Sequence, residues 1–270
     1  MKNNFFKGGL DLLIIDIDDT FIYHRTVAVA NRIFLKLMYS LFQKEIDPDK
    51  IYTTKRLLLL ITKLIILNFF RFKPSTDKIK KLIRLSITAF YLHILQIIRE
   101  TNNRFFNIIS NEKIIQIWIK TVISNEVEEE EFQLSKTTIK NNLNKEVLYI
   151  YNSLKSLNPN MKIIAISQNF VVEEDPIKKI LKLDMIKSNK FISDEKGTIK
   201  SFELNVKNKE DKKTIADKAI KKFRSRNIGL FIEDYDDIYL LELKNLRFVL
   251  YKKKLKRFIC NKKFKAVSFR

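Results

Sequence analysis

The stretch LLIIDIDDTF, residues 12 to 21, restricts the possible folds of this chain more than any other. A run of apolar residues with no polar alternation reads as a strand covered on both faces, the pattern of a parallel sheet. Asp16, Asp18 and Asp19 then crowd like charges where that strand ends. Repulsion and desolvation both oppose such a cluster unless positive charge lies close by.

Three further stretches repeat the pattern of an apolar run delivered into polar residues. MKIIAIS (161–167) follows the turn-like NPN of 158–160, NIGLFI (227–232) runs into EDYDD, and LRFVLY (246–251) comes last. DPIKKILKL (175–183) and KKTIADKAIKKF (212–223), between the second and third strands, carry apolar residues at helical spacing. Strand and helix in alternation predict an α/β fold, a Rossmann-like parallel sheet with helices on both faces. Glycine and proline number only four each, which argues against an all-β chain rich in tight turns.

Residues 25–140 differ in character. Apolar residues at helical spacing predict helices over 29–43, 55–72, 79–99 and 110–124, so this stretch reads as a large all-helical insertion. The core is then assembled from residues 1–24 and 141–270. EVEEEEF (126–132) reads as a solvated charge run.

Ligands of open α/β sheets bind where the carboxyl ends of the strands converge. The predicted strands deliver Asp16 and Asp18 from the first, Ser167 with Gln168 and Asn169 from the second, and Glu233, Asp234, Asp236 and Asp237 from the third. Two acidic groups sharing one crevice call for a cation, and carboxylate oxygens with retained water suit Mg²⁺.

IIDIDDT, with Ser167, a lysine at 212 or 213 opening a helix, and the acidic loop FIEDYDDIYLLEL, resembles the four ordered motifs of the haloacid dehalogenase superfamily of phosphohydrolases. The resemblance is to phosphoserine-phosphatase-like members that carry a helical cap just after the first motif. It implies a phosphomonoester hydrolase in which Asp16 attacks phosphorus and forms an aspartyl phosphate. Asp18 would protonate the leaving oxygen and then activate water. Ser167 and Lys212 or Lys213 would hold the phosphoryl oxygens. Thr20 would order the turn after the first acids. Mg²⁺ would be held by Asp16 and Asp18 with Glu233 or Asp234, and with Asp237. The chain departs from the pattern at the fourth motif: Glu233 stands where an aspartate is expected and Ile232 replaces glycine, whereas a loop one residue shorter would put Asp234 in that place.

RLLLLITKLIILNFFRF (56–72) and LSITAFYLHILQII (85–98) make the insertion unusually apolar. Lys63 interrupts the first and Arg84 and Arg99 bracket the second, which argues against full membrane spans. Two readings stand: a hairpin on an anionic membrane surface, or a bundle whose apolar faces cover one another. The layout resembles phosphatidylglycerophosphate phosphatases of the superfamily, which brings in a phospholipid monoester beside a soluble phosphorylated small molecule as substrate. The formal charge of +21 admits polyanions as partners, although lysine is abundant throughout the chain. The basic tail YKKKLKRFICNKKFK (251–265) keeps a rival in view, a nucleic-acid or other polyanion binder with a weakened catalytic core. A second rival is a structural membrane-associated protein in which the acids do no chemistry. A single cysteine, Cys260, excludes a disulfide framework. With no signal-peptide pattern at the first residues, the reading is cytoplasmic, including a peripheral position on the inner face of a membrane. His24 reads as a surface linker residue and His93 as a packed or interfacial one.

Overall fold

The computed structural model describes residues 9–18, 20–22, 80, 111–124, 126–129, 136–170, 176–259 and 264–269. Asp19, His24, His93, Cys260, the predicted helices over 29–43 and 55–72, and all but one residue of that over 79–99 lie outside them. The chain divides into two compact units, one of residues 1–23, 136–190 and 204–270, the other of residues 24–135 and 191–203.

The strands are β1 (Leu12–Ile15), β2 (Lys162–Phe170), β3 (Met185–Ser193), β4 (Ile199–Glu203), β5 (Ile228–Ile232), β6 (Leu246–Lys252) and β7 (Lys265–Phe269). They form a seven-stranded sheet in the order β4-β3-β2-β1-β5-β6-β7. Every pairing from β3 across to β7 is parallel. β1 and β5 are buried at every position, as their unbroken apolar runs require. The described helices are α1 (Asn111–Ser124), α2 (Lys136–Asn141), α3 (Lys145–Leu157), α4 (Pro176–Ile180), α5 (Lys209–Phe223) and α6 (Lys256–Ile259).

In the first unit, α5 begins at Asn208, whose side chain accepts from the Asp211 N–H, and ends at Arg224 in the left-handed conformation. Glu210 and Asp211 in its first turn and Lys221 and Lys222 in its last complement the helix dipole. Its buried positions are Lys212, Ala216 and Ala219, one face at spacings of four and three. Ala216 and Ala219 join a core cluster with Ile14, Ile164, Leu230, Ile232 and Val249 of the sheet. α3 carries the Asn144 cap, whose side chain accepts from the Val147 N–H at 3.2 Å. The Asn144 N–H in turn donates to the Phe21 carbonyl at 2.8 Å, tying the segment after β1 to α3.

In the second unit, Ile115, Ile119 and Val122 form the buried stripe of α1, which contacts β4. Here the charge run behaves differently from its composition. Val127 is buried, Glu128 bridges to Thr198, and the Glu129 carboxylate accepts from the Ser193 hydroxyl at 2.8 Å. Alternate residues are thus used for pairing, and the described part of the run is not simply solvated. Among the described residues no helix is long and apolar enough to cross a membrane.

Candidate active site

The register of the sheet assembles the site. Ile15 of β1 is level with Ala165 of β2 and with Phe231 of β5, so Asp16, Ser167 and Glu233, one or two residues farther along, come to the same end of the sheet. The Asp16 N–H donates to the Phe231 carbonyl at 3.2 Å, which fixes the departure of the chain from β1. Phe21 and Ile22 both donate their N–H groups to the Ile17 carbonyl and close a turn. Phe21 stacks on Phe231 at 5.7 Å between centroids and meets Tyr151 edge-on at 5.4 Å, so this turn is clamped from both sides. Thr20 does not order it: its hydroxyl is buried and finds no hydrogen-bond partner among the described residues, and backbone bonds do that work instead.

Asp18 and Ser167, far apart in sequence, meet here. The Ser167 hydroxyl donates to Asp18 Oδ2 at 2.8 Å and accepts from the Asn169 N–H at 3.0 Å. Lys212 approaches from the first turn of α5. Its Nζ donates to Asp237 Oδ1 at 2.5 Å and lies 3.8 Å from Asp16 Oδ1, with the lysine side chain only 4% exposed. Burial works against the lysine charge, but the carboxylates of Asp16 and Asp237, the hydrogen bond to Asp237 and the charge of Asp236 outweigh it and hold its pKa above the ordinary lysine value. Burial acts the other way on Asp16 and raises its pKa well above the ordinary aspartate value. Lys212 opposes that rise, and the charges of Asp237, Asp18 and Glu233 add to it.

A largely enclosed acid beside a buried lysine at the carboxyl end of the central strand is the setting in which comparison with known structures is informative. A substrate-bound phosphoserine phosphatase superposes with a TM-score of 0.52 at 15% identity, covering 93% of this chain and 91% of its own. A phospho-aspartyl intermediate analogue of phosphoserine phosphatase gives 0.51 at 14% identity over the same shares. A phosphoserine phosphohydrolase-like protein from Francisella tularensis gives 0.54 at 13%, covering 96% of this chain and 95% of that one. The fold is that of the phosphoserine phosphatases. At the level of sequence, no family model and no curated protein matches.

Within this fold the acidic loop after β5 divides its residues sharply. Asp234 caps the 3-10 helix Tyr235–Glu242, accepting from the Tyr235 N–H at 2.6 Å. Asp237 is the reciprocal half of that capping box: its Oδ2 accepts from the Glu233 and Asp234 N–H groups, each at 3.1 Å, while its Oδ1 takes Lys212. Both Asp237 oxygens are therefore occupied by donors of the protein. Glu233 is 7% exposed and receives Lys252 Nζ at 2.7 Å. Lys213 lies away from the acids, on the more exposed side of α5, where it pairs with Glu242.

Among the described residues no three acids converge as a ready-made metal cage. The donor chemistry nevertheless fits a hard divalent cation. Asp18, Asp237 and Glu233 all act on Asp16 by charge, a concentration of carboxylates that Lys212 offsets at Asp16 itself. The residues that the motif reading overlooked are Lys252 and Lys254. The signal was in the sequence: Lys252 ends the strand beside β5, so it emerges next to Glu233.

Proposed function

We propose that this protein is a magnesium-dependent phosphomonoesterase acting through Asp16. The observation that carries the reading is the pairing of the largely enclosed Asp16 with buried Lys212 at 3.8 Å, beside an Asp18 already oriented by Ser167. Asp16, Asp18 and Glu233 are the residues that would hold Mg²⁺, which when bound would neutralise phosphoryl oxygens and favour ionised Asp16.

The Asp16 carboxylate forms the new bond to phosphorus as the bond to the leaving oxygen breaks, and Asp18 gives that oxygen its proton. Asp18 then takes a proton from water, whose oxygen attacks the aspartyl phosphate; the bond from phosphorus to the Asp16 oxygen breaks and free phosphate leaves. Lys212 supplies fixed positive charge to the phosphoryl oxygens, held in place by Asp237. Ser167 keeps the Asp18 carboxylate aimed and offers its hydroxyl to the phosphoryl group.

The substrate class is a small phosphomonoester in the cytoplasm. Phosphoserine is the natural first candidate, because it names the similar proteins of known structure. The apolar runs at 56–72 and 85–98 keep a phospholipid monoester, met at the inner face of a membrane, as the second. The test is phosphate release from phosphoserine, sugar phosphates and phosphatidylglycerophosphate in detergent, each with Mg²⁺ and with chelator. Release that requires Mg²⁺ and disappears in Asp16→Asn supports the reading. A folded protein that hydrolyses none of them, or an Asp16→Asn variant as active as the parent, removes it.

A further inference from the structure

The pairing of Glu233 with lysine has no part in the mechanism above and points to a property of this chain's own. Tyr251 is level with Ile232 in the parallel pairing of β5 and β6, so Lys252 and Glu233 leave the sheet side by side. Lys252 Nζ lies 2.7 Å from Glu233 Oε2, and Lys254 Nζ lies 3.6 Å from the same oxygen and 3.6 Å from Asp234 Oδ1. The Glu233 side chain is 9% exposed and that of Lys252 28%, so water screens this contact only in part. A glutamate that neutralises an ammonium group at hydrogen-bond distance offers less charge to a second cation, and the two cations repel each other across it.

We propose that Lys252 is a tethered cation competing with the divalent metal for Glu233, so that this protein binds its metal more weakly than the same site would without that ammonium. The inference rests on the phosphomonoesterase reading for its metal and places Lys252 as a positioning residue that acts through Glu233. Lys254, farther from the carboxylate, adds to the same effect.

The experiment is direct titration of the full chain with Mn²⁺, following the electron paramagnetic resonance signal of the free ion, with no substrate present. Lys252→Met and Lys252→Gln should each bind Mn²⁺ about twofold to fivefold more tightly than the parent, the scale on which a single partly exposed ion pair acts. Lys252→Arg, which keeps the charge, should bind as the parent does. A merely structural lysine would not tighten metal binding when removed. If uptake depends on Asp16, as tested with Asp16→Asn, yet both neutral variants bind as the parent or more weakly with unchanged circular dichroism, the inference fails and the phosphatase reading stands. If the parent takes up no Mn²⁺ that Asp16→Asn abolishes, the metal site itself is absent and both fail.

Discussion

Replacing Lys212 by methionine isolates the electrostatic centre of the molecule. Methionine retains the apolar stem of the side chain and deletes only the ammonium group, which lies 2.5 Å from Asp237 and 3.8 Å from Asp16. Lys212 is 4% exposed and Asp237 1%, so the carboxylate left behind cannot recruit much water. Stripping one partner from a buried pair costs about 3–5 kcal/mol. The two backbone N–H groups that still serve Asp237 Oδ2 place the expectation at the lower end, about 3 kcal/mol. At about 2–4 °C per kcal/mol for a chain of this size, the thermal midpoint at pH 7 should fall by about 6–12 °C. The sign with pH is also fixed. The raised lysine pKa means that its contribution is fully present below the unfolded-state value near ~10.4 and lost only as pH rises through the folded one. The deficit of the variant should therefore persist through neutral pH and be lost only in strong alkali. Adding Asp237→Asn should restore part of the loss, because no uncompensated carboxylate then remains at that position. Urea and thermal unfolding of the parent, both single variants and the double variant close the cycle. A loss under about 1 kcal/mol in Lys212→Met, or strictly additive single effects, would refute the claim that this lysine neutralises the buried acids.

Asp16→Asn should abolish phosphate release and, in metal-free buffer at pH 7, raise the thermal midpoint. The folded-state pKa of Asp16 is raised, so parent stability falls as pH climbs from the unfolded value near ~3.9 through the folded one, and the variant should lack that decline. Ser167→Ala removes the donor to Asp18 and the acceptor of the Asn169 N–H in a fully buried position; a loss of about 1–3 kcal/mol in urea unfolding and a reduced kcat are expected. Lys213→Ala, which breaks only the pair with Glu242, should leave turnover and midpoint unchanged, and a large loss of activity there would reverse the assignment of the phosphate lysine.

The strands that could be read from sequence are those buried on both faces. Residues 12–15, 162–170, 228–232 and 246–252 announce themselves because apolar runs leave no other economical conformation. β3, β4 and β7 carry no such signal: MIKSNKFIS, IKSFE and KAVSF mix polar and apolar positions, and β4 and β7 are the sheet edges, where half-exposed faces carry little pattern. That Lys212 and not Lys213 is buried was legible in the sequence, since only Lys212 lies four and seven residues before the small Ala216 and Ala219 on one helix face. Glu233 against Asp234 was not, because a capping turn decides which acid points inward and that turn depends on the reciprocal bonds of Asp237.

β1 takes its neighbours from far along the chain, with Asp11 bonded to Asn227 across 216 positions. During synthesis the strand that leads into Asp16 precedes both partners: it stays apolar and unpaired until β2 has left the ribosome, and its other edge stays open until β5 follows. Closing so long a loop is slow, and an exposed LLII segment invites pairing with other chains meanwhile. The newborn protein therefore has its greatest need of a chaperone in that interval, and the amount of it that survives in a cell should respond to translation speed over residues 16–232 as much as to the stability of the finished fold.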